Sequence, residues 1–152
     1  MSEELVVGKW PKEFVWGGQV AEAKELNKPA IAMFFNLECP ACVTRGIPFL
    51  KRLHEEYGSD LAVFVIHTSF GHKLFEREEV VPTLLHFSEK FAKLPYPVAL
   101  DLDGSIAESW QALGTPFWII FNKAGELVRS IYGSQGGAQT RLEYLLEELV
   151  AE

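Results

Sequence analysis

The sequence predicts an α/β protein with one mixed central sheet flanked by helices. Its two early apolar runs are separated by a helical segment, which is typical of parallel strands joined by a crossover. Two later apolar runs are separated only by the short turn at 122–125, which is typical of an antiparallel pair. A chain with both kinds of connection predicts a mixed sheet.

Size and composition limit the function classes. The 152 residues suffice for one domain, and we expect a single domain over 1–152, with its core at about 17–150 and an N-terminal extension at 1–16. The net charge of −7 disfavours nucleic acid and anionic membranes as main partners. No run of about 18 apolar residues and no signal-like N-terminus occurs. We therefore expect a monomeric cytoplasmic protein without a membrane span, or an exported one if a signal segment has been removed.

The first half of the chain alternates predicted helices and strands. Residues 20–26 are rich in helix formers and are followed by a proline, which predicts a helix. The apolar run 30–35 predicts a strand buried on both faces, and 61–66 predicts a second one. A helix is predicted from Cys39 to about Tyr57. The apolar patch at 5–7 indicates that the N-terminal extension, otherwise a loop, could contain an edge strand.

The second half begins with an amphipathic pattern over residues 76–93, which predicts a helix with a proline in its first turns. The remaining predicted elements are strands at 97–100, 117–121 and 126–132, a short helix that ends near residue 113, and a closing helix at 140–150.

The chain contains two cysteines, Cys39 and Cys42, which lie where a predicted strand passes into a predicted helix. Two cysteines cannot complete a zinc site, and no histidine has ligand spacing to them, so we expect no metal. A helix N-terminus stabilises a thiolate, and this spacing lets the second thiol reach the first. The pair is therefore a candidate redox site, with a structural disulfide or two inert thiols as the alternative.

Three features together resemble the thioredoxin fold. A strand leads into Cys39-Pro40-Ala41-Cys42, the sequence Gly114-Thr115-Pro116 precedes a later strand, and a hairpin follows that strand. The Gly-Thr-Pro sequence and the helical insertion before it, at about 72–93, resemble the TlpA and ResA type of thioredoxin-like thiol-disulfide oxidoreductase. The resemblance covers about residues 17–150.

The resemblance implies roles for four residues. Cys39 would be the attacking thiolate and Cys42 the thiol that resolves the mixed disulfide. Pro116 would follow a cis peptide bond and face the cysteines, and the backbone of Thr115 would pair with the substrate chain. Protein thiols and disulfides would be the substrates, and an unidentified reductase or oxidase would recycle the pair. No metal or organic cofactor is implied.

The sequence departs from the family pattern close to the cysteines. Glu38 stands where most relatives have an aromatic residue, and Met33 stands where classical thioredoxins have a buried Asp. Arg45 stands where the TlpA and ResA type often has Glu. The helix proline, Pro48, comes one residue later than usual, and Gly46 could absorb the extra residue as a bulge.

These departures affect the expected chemistry. Glu38 would oppose a neighbouring thiolate if it were close and dry, so we assign it a modulating role. No cation lies between the cysteines, so we expect only a moderately stabilised thiolate and a reductase-like potential. Glu38 or water is the candidate acceptor for the Cys42 proton.

Two functions follow from the sequence. The first is a thiol-disulfide oxidoreductase that acts on protein disulfides. The second is a binding or adaptor module of the same fold, with weak or no redox turnover, that pairs with an extended partner segment.

Overall fold

The computed structural model describes residues 8–72, 76–134 and 136–152, so the apolar patch at 5–7 lies outside the described residues. Within these ranges, six strands form one sheet in the order β1-β4-β3-β2-β5-β6. The strands are β1 Phe14–Trp16, β2 Ala30–Phe35, β3 Ala62–Thr68, β4 Val98–Asp101, β5 Phe117–Phe121 and β6 Leu127–Tyr132. The α-helices are α1 Ile47–Tyr57, α2 Arg77–His86, α3 Ser105–Ser109 and α4 Gly136–Ala151.

The sheet is mixed, as the sequence predicts. Strands β2, β3 and β4 run parallel, whereas β5 and β6 form an antiparallel hairpin that joins the sheet through β2. Strand β1 lies antiparallel to β4 and supplies an edge strand within the N-terminal extension. All six residues of β2 are buried, because helices cover both faces of the central strands.

Alternate residues of β2 enter two different hydrophobic cores. Ile31, Met33 and Phe35 join a cluster that contains buried side chains of α1 and α4. Ala32 and Phe34 join the cluster on the opposite face. This period of two, with both sides apolar, explains why the strand reads as a continuous hydrophobic run.

The predicted helix at 20–26 is wrong. The structure has a single 3₁₀ turn there, Ala23–Glu25. Ala23 is the one residue of this turn that is buried, and Asn27 lies in the left-handed region at φ +58° directly after it. A segment this short cannot offset the cost of helix nucleation without an apolar face to pack.

The predicted helix from Cys39 to Tyr57 is present, but its winding changes. Residues 40–41 are helical, Cys42–Gly46 form a π turn, and Ile47–Tyr57 form α1. The N–H of Ile47 bonds to the carbonyl of Cys42, five residues back. A π turn accommodates one additional residue in a helix, so Gly46 lies in the bulge that the sequence predicts.

The helical insertion lies between β3 and β4. It comprises α2, with Pro82 inside it, and a π turn at Phe87–Phe91. Among the described residues, no helix is long and apolar enough to cross a membrane.

Candidate functional site

The two cysteines lie where β2 passes into the helical segment. The N–H of Cys39 donates to the carbonyl of Asn36 at 2.9 Å, which closes a tight turn after the strand. Cys39 is 8% exposed and Cys42 is fully buried. Both are free thiols. The partly accessible Cys39 is therefore the thiol that a second molecule can reach first.

Asn36 fixes the turn that precedes Cys39. Its buried side-chain amide donates to the carbonyl of Thr68 at 2.8 Å, at the end of β3. Its Oδ1 accepts the N–H of Glu38 at 2.9 Å. An Asx side chain that bonds two residues ahead stabilises a turn, and here it also ties the ends of two parallel strands together.

His67 supports the same turn from β3. Its Nε2 accepts the N–H of Leu37 at 3.2 Å, and its ring packs edge-to-face with that of Phe35 at a centroid distance of 5.2 Å. Burial lowers the pKa of His67 to about 4, with a smaller contribution from His72. His67 is thus a neutral hydrogen-bond acceptor near pH 7.

The sulfur of Cys39 faces the backbone of the first helical turn. The N–H of Cys42 points at Cys39 Sγ, with a nitrogen–sulfur distance of 3.3 Å. An N–H aimed at a sulfur stabilises negative charge there. This contact depends on the two-residue spacing and on the helical conformation of Pro40 and Ala41.

Cys42 is held as a thiol. Burial raises its pKa far above the ordinary value, and the neighbouring Cys39 sulfur adds to the rise. The backbone of Asn36 and the hydroxyl of Thr115 act in the opposite direction. Near pH 7 the buried cysteine therefore carries its proton, which must leave before Cys42 can act as a nucleophile.

Thr115 and Pro116 directly precede β5, the strand that pairs with the one leading into the cysteines. Strand β5 follows them and pairs with β2, with Phe117 opposite Phe34. The peptide bond between Thr115 and Pro116 is cis. Thr115 is half-buried and Pro116 is buried.

His72 joins the site although the sequence does not single it out. Its Nε2 lies 2.8 Å from Oγ1 of Thr115. His72 ends a turn after β3, in which its N–H bonds to the carbonyl of Ser69 at 2.8 Å. Burial lowers the pKa of His72, while the carboxylate of Glu38 raises it.

The parallel pairing of β2 and β3 contains the signal that could have identified His72. The carboxyl ends of parallel strands lie at one edge of a sheet, so the loop after Thr68 must lie near the loop that carries Cys39. The chain order alone does not show that this loop turns back toward Thr115.

The residues that depart from the family pattern have different environments. Glu38 and Arg45 are exposed. Met33 is fully buried, and an added Cβ on Gly46 would lie 2.5 Å from its Sδ. In the described part of the chain, no three His, Cys, Asp or Glu side chains converge to hold a metal ion.

A groove of about 210 Å³ lies beside the cysteine turn. Leu37 and Val80 give it apolar walls, and Glu38 and Glu79 add carboxylates. It separates the turn before Cys39 from α2, so the helical insertion forms one wall of a cleft next to the accessible thiol.

Neither family models nor curated protein sequences match this chain. Solved structures do. A thiol-disulfide isomerase from Corynebacterium glutamicum superposes with a TM-score of 0.79 at 23% identity over 93% of each chain. A thioredoxin-like superfamily protein gives 0.80 at 21% identity over 97% of each chain. DsbF from MTB gives 0.71 at 17% identity, covering 92% of this chain and 94% of its own. The strand order, the position of the cysteine pair and these superpositions establish that the chain has the thioredoxin fold.

Proposed function

We propose that this protein is a thiol-disulfide oxidoreductase that exchanges protein disulfides through Cys39 and Cys42. The observation that carries the proposal is the contact between the Cys42 N–H and Cys39 Sγ at 3.3 Å. It stabilises negative charge on the cysteine that a substrate can reach, while Cys42 stays buried behind it.

In the reducing direction, the thiolate of Cys39 attacks a substrate disulfide. A mixed disulfide forms between Cys39 and the substrate, and one substrate sulfur leaves as a thiolate. Cys42 then attacks Cys39, which forms the Cys39–Cys42 disulfide and releases the second substrate sulfur. The reaction needs no metal or organic cofactor, and a separate reductase must return the pair to its dithiol form.

Thr115 and Pro116 are the proposed contact for the substrate backbone, because they lie directly before β5, which pairs with the strand that leads into the cysteines. The groove between Leu37 and Val80 offers room for a substrate side chain next to Cys39. Glu38, exposed at the rim of this groove, is assigned a modulating role through its charge.

Reduction of insulin disulfides by dithiothreitol tests the proposal. The wild-type protein should accelerate the reaction, and Cys39→Ser should abolish the acceleration. Cys42→Ser should instead accumulate a mixed disulfide at Cys39, because the resolving thiol is missing. Wild-type protein that gives the same rate as Cys39→Ser would refute the assignment.

The second candidate is a binding module that recognises an extended segment at the same surface. The buried Met33 and the exposed Glu38 favour it, because neither residue is the one that usually tunes the cysteine pair in this fold. A module of this kind would bind partners equally well as wild type and as Cys39→Ser, and would not accelerate insulin reduction.

A further inference from the structure

We propose that His72 accepts the Cys42 proton, through the hydroxyl of Thr115, while Cys42 resolves the mixed disulfide. The inference rests on the proposed thiol-disulfide exchange and adds a residue to its second step. An acceptor is required because only a thiolate attacks a disulfide. The β2 side chain at position 33 is a fully buried methionine, which cannot serve.

The proposed path runs from the Cys42 sulfur to the His72 imidazole through Thr115. The Thr115 hydroxyl lowers the pKa of Cys42 as a hydrogen-bonding neighbour. On its other side, Thr115 Oγ1 lies 2.8 Å from His72 Nε2. A hydroxyl accepts one proton while it donates another, so it can pass a proton between two groups that do not touch. Glu38 is exposed and has no such path to Cys42 among the described contacts.

The proton balance follows from the two orientations of the hydroxyl. Before transfer, the thiol of Cys42 donates to Oγ1 of Thr115, whose hydroxyl donates to the unprotonated Nε2 of His72. After transfer, His72 is an imidazolium that donates to Oγ1, and the hydroxyl donates to the Cys42 thiolate. The second orientation is the one in which Thr115 favours the charged sulfur.

The electrons balance within the disulfide exchange. The Cys42 thiolate attacks the sulfur of Cys39, and a Cys39–Cys42 bond forms. The bond between Cys39 and the substrate breaks, and its electron pair leaves on the substrate sulfur. The substrate is reduced, the cysteine pair is oxidised, and the imidazolium of His72 returns its proton to the departing thiolate or to solvent.

The surroundings of His72 fit a proton acceptor. Burial keeps its imidazole neutral near pH 7, and the Glu38 carboxylate stabilises the imidazolium once it forms. Among the described residues, the titratable groups that face this region include Glu38 and Cys39 from the cysteine turn, His67 from β3 and Cys42 itself. His67 is neutral near pH 7, so it adds no competing charge.

Reaction with the small disulfide dithiobis(nitrobenzoate) separates the two steps in the wild-type protein. Attack by Cys39 releases one thionitrobenzoate and leaves the second in a mixed disulfide. Resolution by Cys42 then releases the second. The rates of both phases are measured from about pH 5 to pH 9 in wild type, His72→Gln, Thr115→Val and the double variant. His86→Gln serves as the control, because His86 is an exposed histidine on α2.

In wild type, the second phase should accelerate as pH rises through the titration of His72. His72→Gln, which keeps a hydrogen-bonding group for Thr115, should lose this dependence and slow the second phase about tenfold at pH 7. Thr115→Val should have the same effect. The double variant should be no slower than either single variant, because each of these changes interrupts the same proton path. The first phase should persist in His72→Gln, and both phases should keep their wild-type rates in the His86→Gln control.

Two outcomes overturn the inference. A second phase that keeps the wild-type rate and pH profile in His72→Gln would exclude His72. The same result in Thr115→Val would exclude the hydroxyl as the link. If wild type shows no first phase, the proposed function itself fails, which separates that failure from a failure of the relay.

Discussion

His67 shows how one buried side chain can link the site to stability. It is neutral in the folded protein, where its Nε2 accepts the N–H of Leu37 in the turn before the cysteines. Protonation would remove that acceptor and place a charge in the core. The acid sensitivity of the whole fold therefore includes a contribution from one histidine.

We predict that His67 makes stability fall between about pH 6.5 and pH 4. Its folded pKa, about 4, lies below the ordinary value of 6.5, so the unfolded chain binds more protons in this window. The stabilisation is complete above about pH 6.5 and is lost as pH falls to about 4, at a cost of about 3 kcal/mol. Urea unfolding of wild type and His67→Gln at pH 7 and pH 4 measures it.

His67→Gln retains an acceptor for Leu37 but cannot titrate, so its free energy of unfolding should change less between the two pH values. His86→Gln is the matched control, since it makes the same substitution at an exposed histidine on α2, away from the cysteine turn. Equal pH dependence in wild type and His67→Gln would contradict the prediction.

Glu38 should act on the titration of His72. Its carboxylate raises the pKa of His72, so Glu38→Gln should shift the His72 titration to lower pH. The shift should shrink in high salt, because Glu38 is exposed and its charge is screened. A proton NMR titration of the histidine rings, with His72 assigned by His72→Gln, measures it. An unchanged His72 curve in Glu38→Gln at low salt would show that this pair does not interact.

At the level of single residues, the sequence locates the cysteine turn and the Thr115–Pro116 pair, because short spacing rules and a family resemblance point to them. It does not locate His72. That residue follows Cys42 by a whole helix and a whole strand, and its ring reaches Thr115 only through the turn after β3. Contacts of this kind depend on the path of a loop. Unlike a helix or a strand, a loop has no sequence periodicity from which its path could be predicted.

At the level of elements, predictability follows burial. The strands β2 and β5 are predicted within their observed bounds, because a run of buried apolar residues is an unambiguous pattern between turn residues. The segment 20–26 has helical propensity but forms only a 3₁₀ turn. Helix propensity is a weak signal when the segment has no apolar face to pack. A run of apolar residues is a stronger signal, because it reflects burial directly.

The π turn at Cys42–Gly46 yields a prediction about Gly46. At φ −66° an alanine is unstrained there and would gain helical propensity, but its Cβ would lie 2.5 Å from Sδ of the buried Met33. Overpacking of this kind costs about 1–3 kcal/mol, so Gly46→Ala should lower the free energy of unfolding. Urea unfolding measures the change.

A second background isolates the cause. Met33→Val shortens the opposing side chain, so Gly46→Ala should cost less in that background than in wild type. If the cost is the same in both, the destabilisation comes from the π turn itself and not from the contact with Met33.

For the whole molecule, the redox potential equals a difference in stability between two covalent forms of one fold. Any interaction that favours the dithiol form makes the protein an oxidant, and any that favours the disulfide makes it a reductant. Here the residues between the cysteines are Pro40 and Ala41, which supply no cation for a thiolate, and Cys42 is fully buried as a thiol. We expect the balance to favour the disulfide.

We therefore predict that the oxidised protein is more stable than the reduced protein. Closing a loop of four residues stabilises a fold by about 2 kcal/mol, which we expect to exceed the stabilisation that the Cys42 N–H gives to the Cys39 sulfur in the dithiol form. Urea unfolding of both forms measures the difference, with the Cys39→Ser/Cys42→Ser variant as a control that should be insensitive to oxidation.

Equilibration with glutathione should place the redox potential near that of thioredoxin, about −270 mV, and far from the −120 mV of a strong oxidant. A reduced form more stable than the oxidised form would reverse the proposed direction, because the same cycle would then favour transfer of the disulfide to substrates.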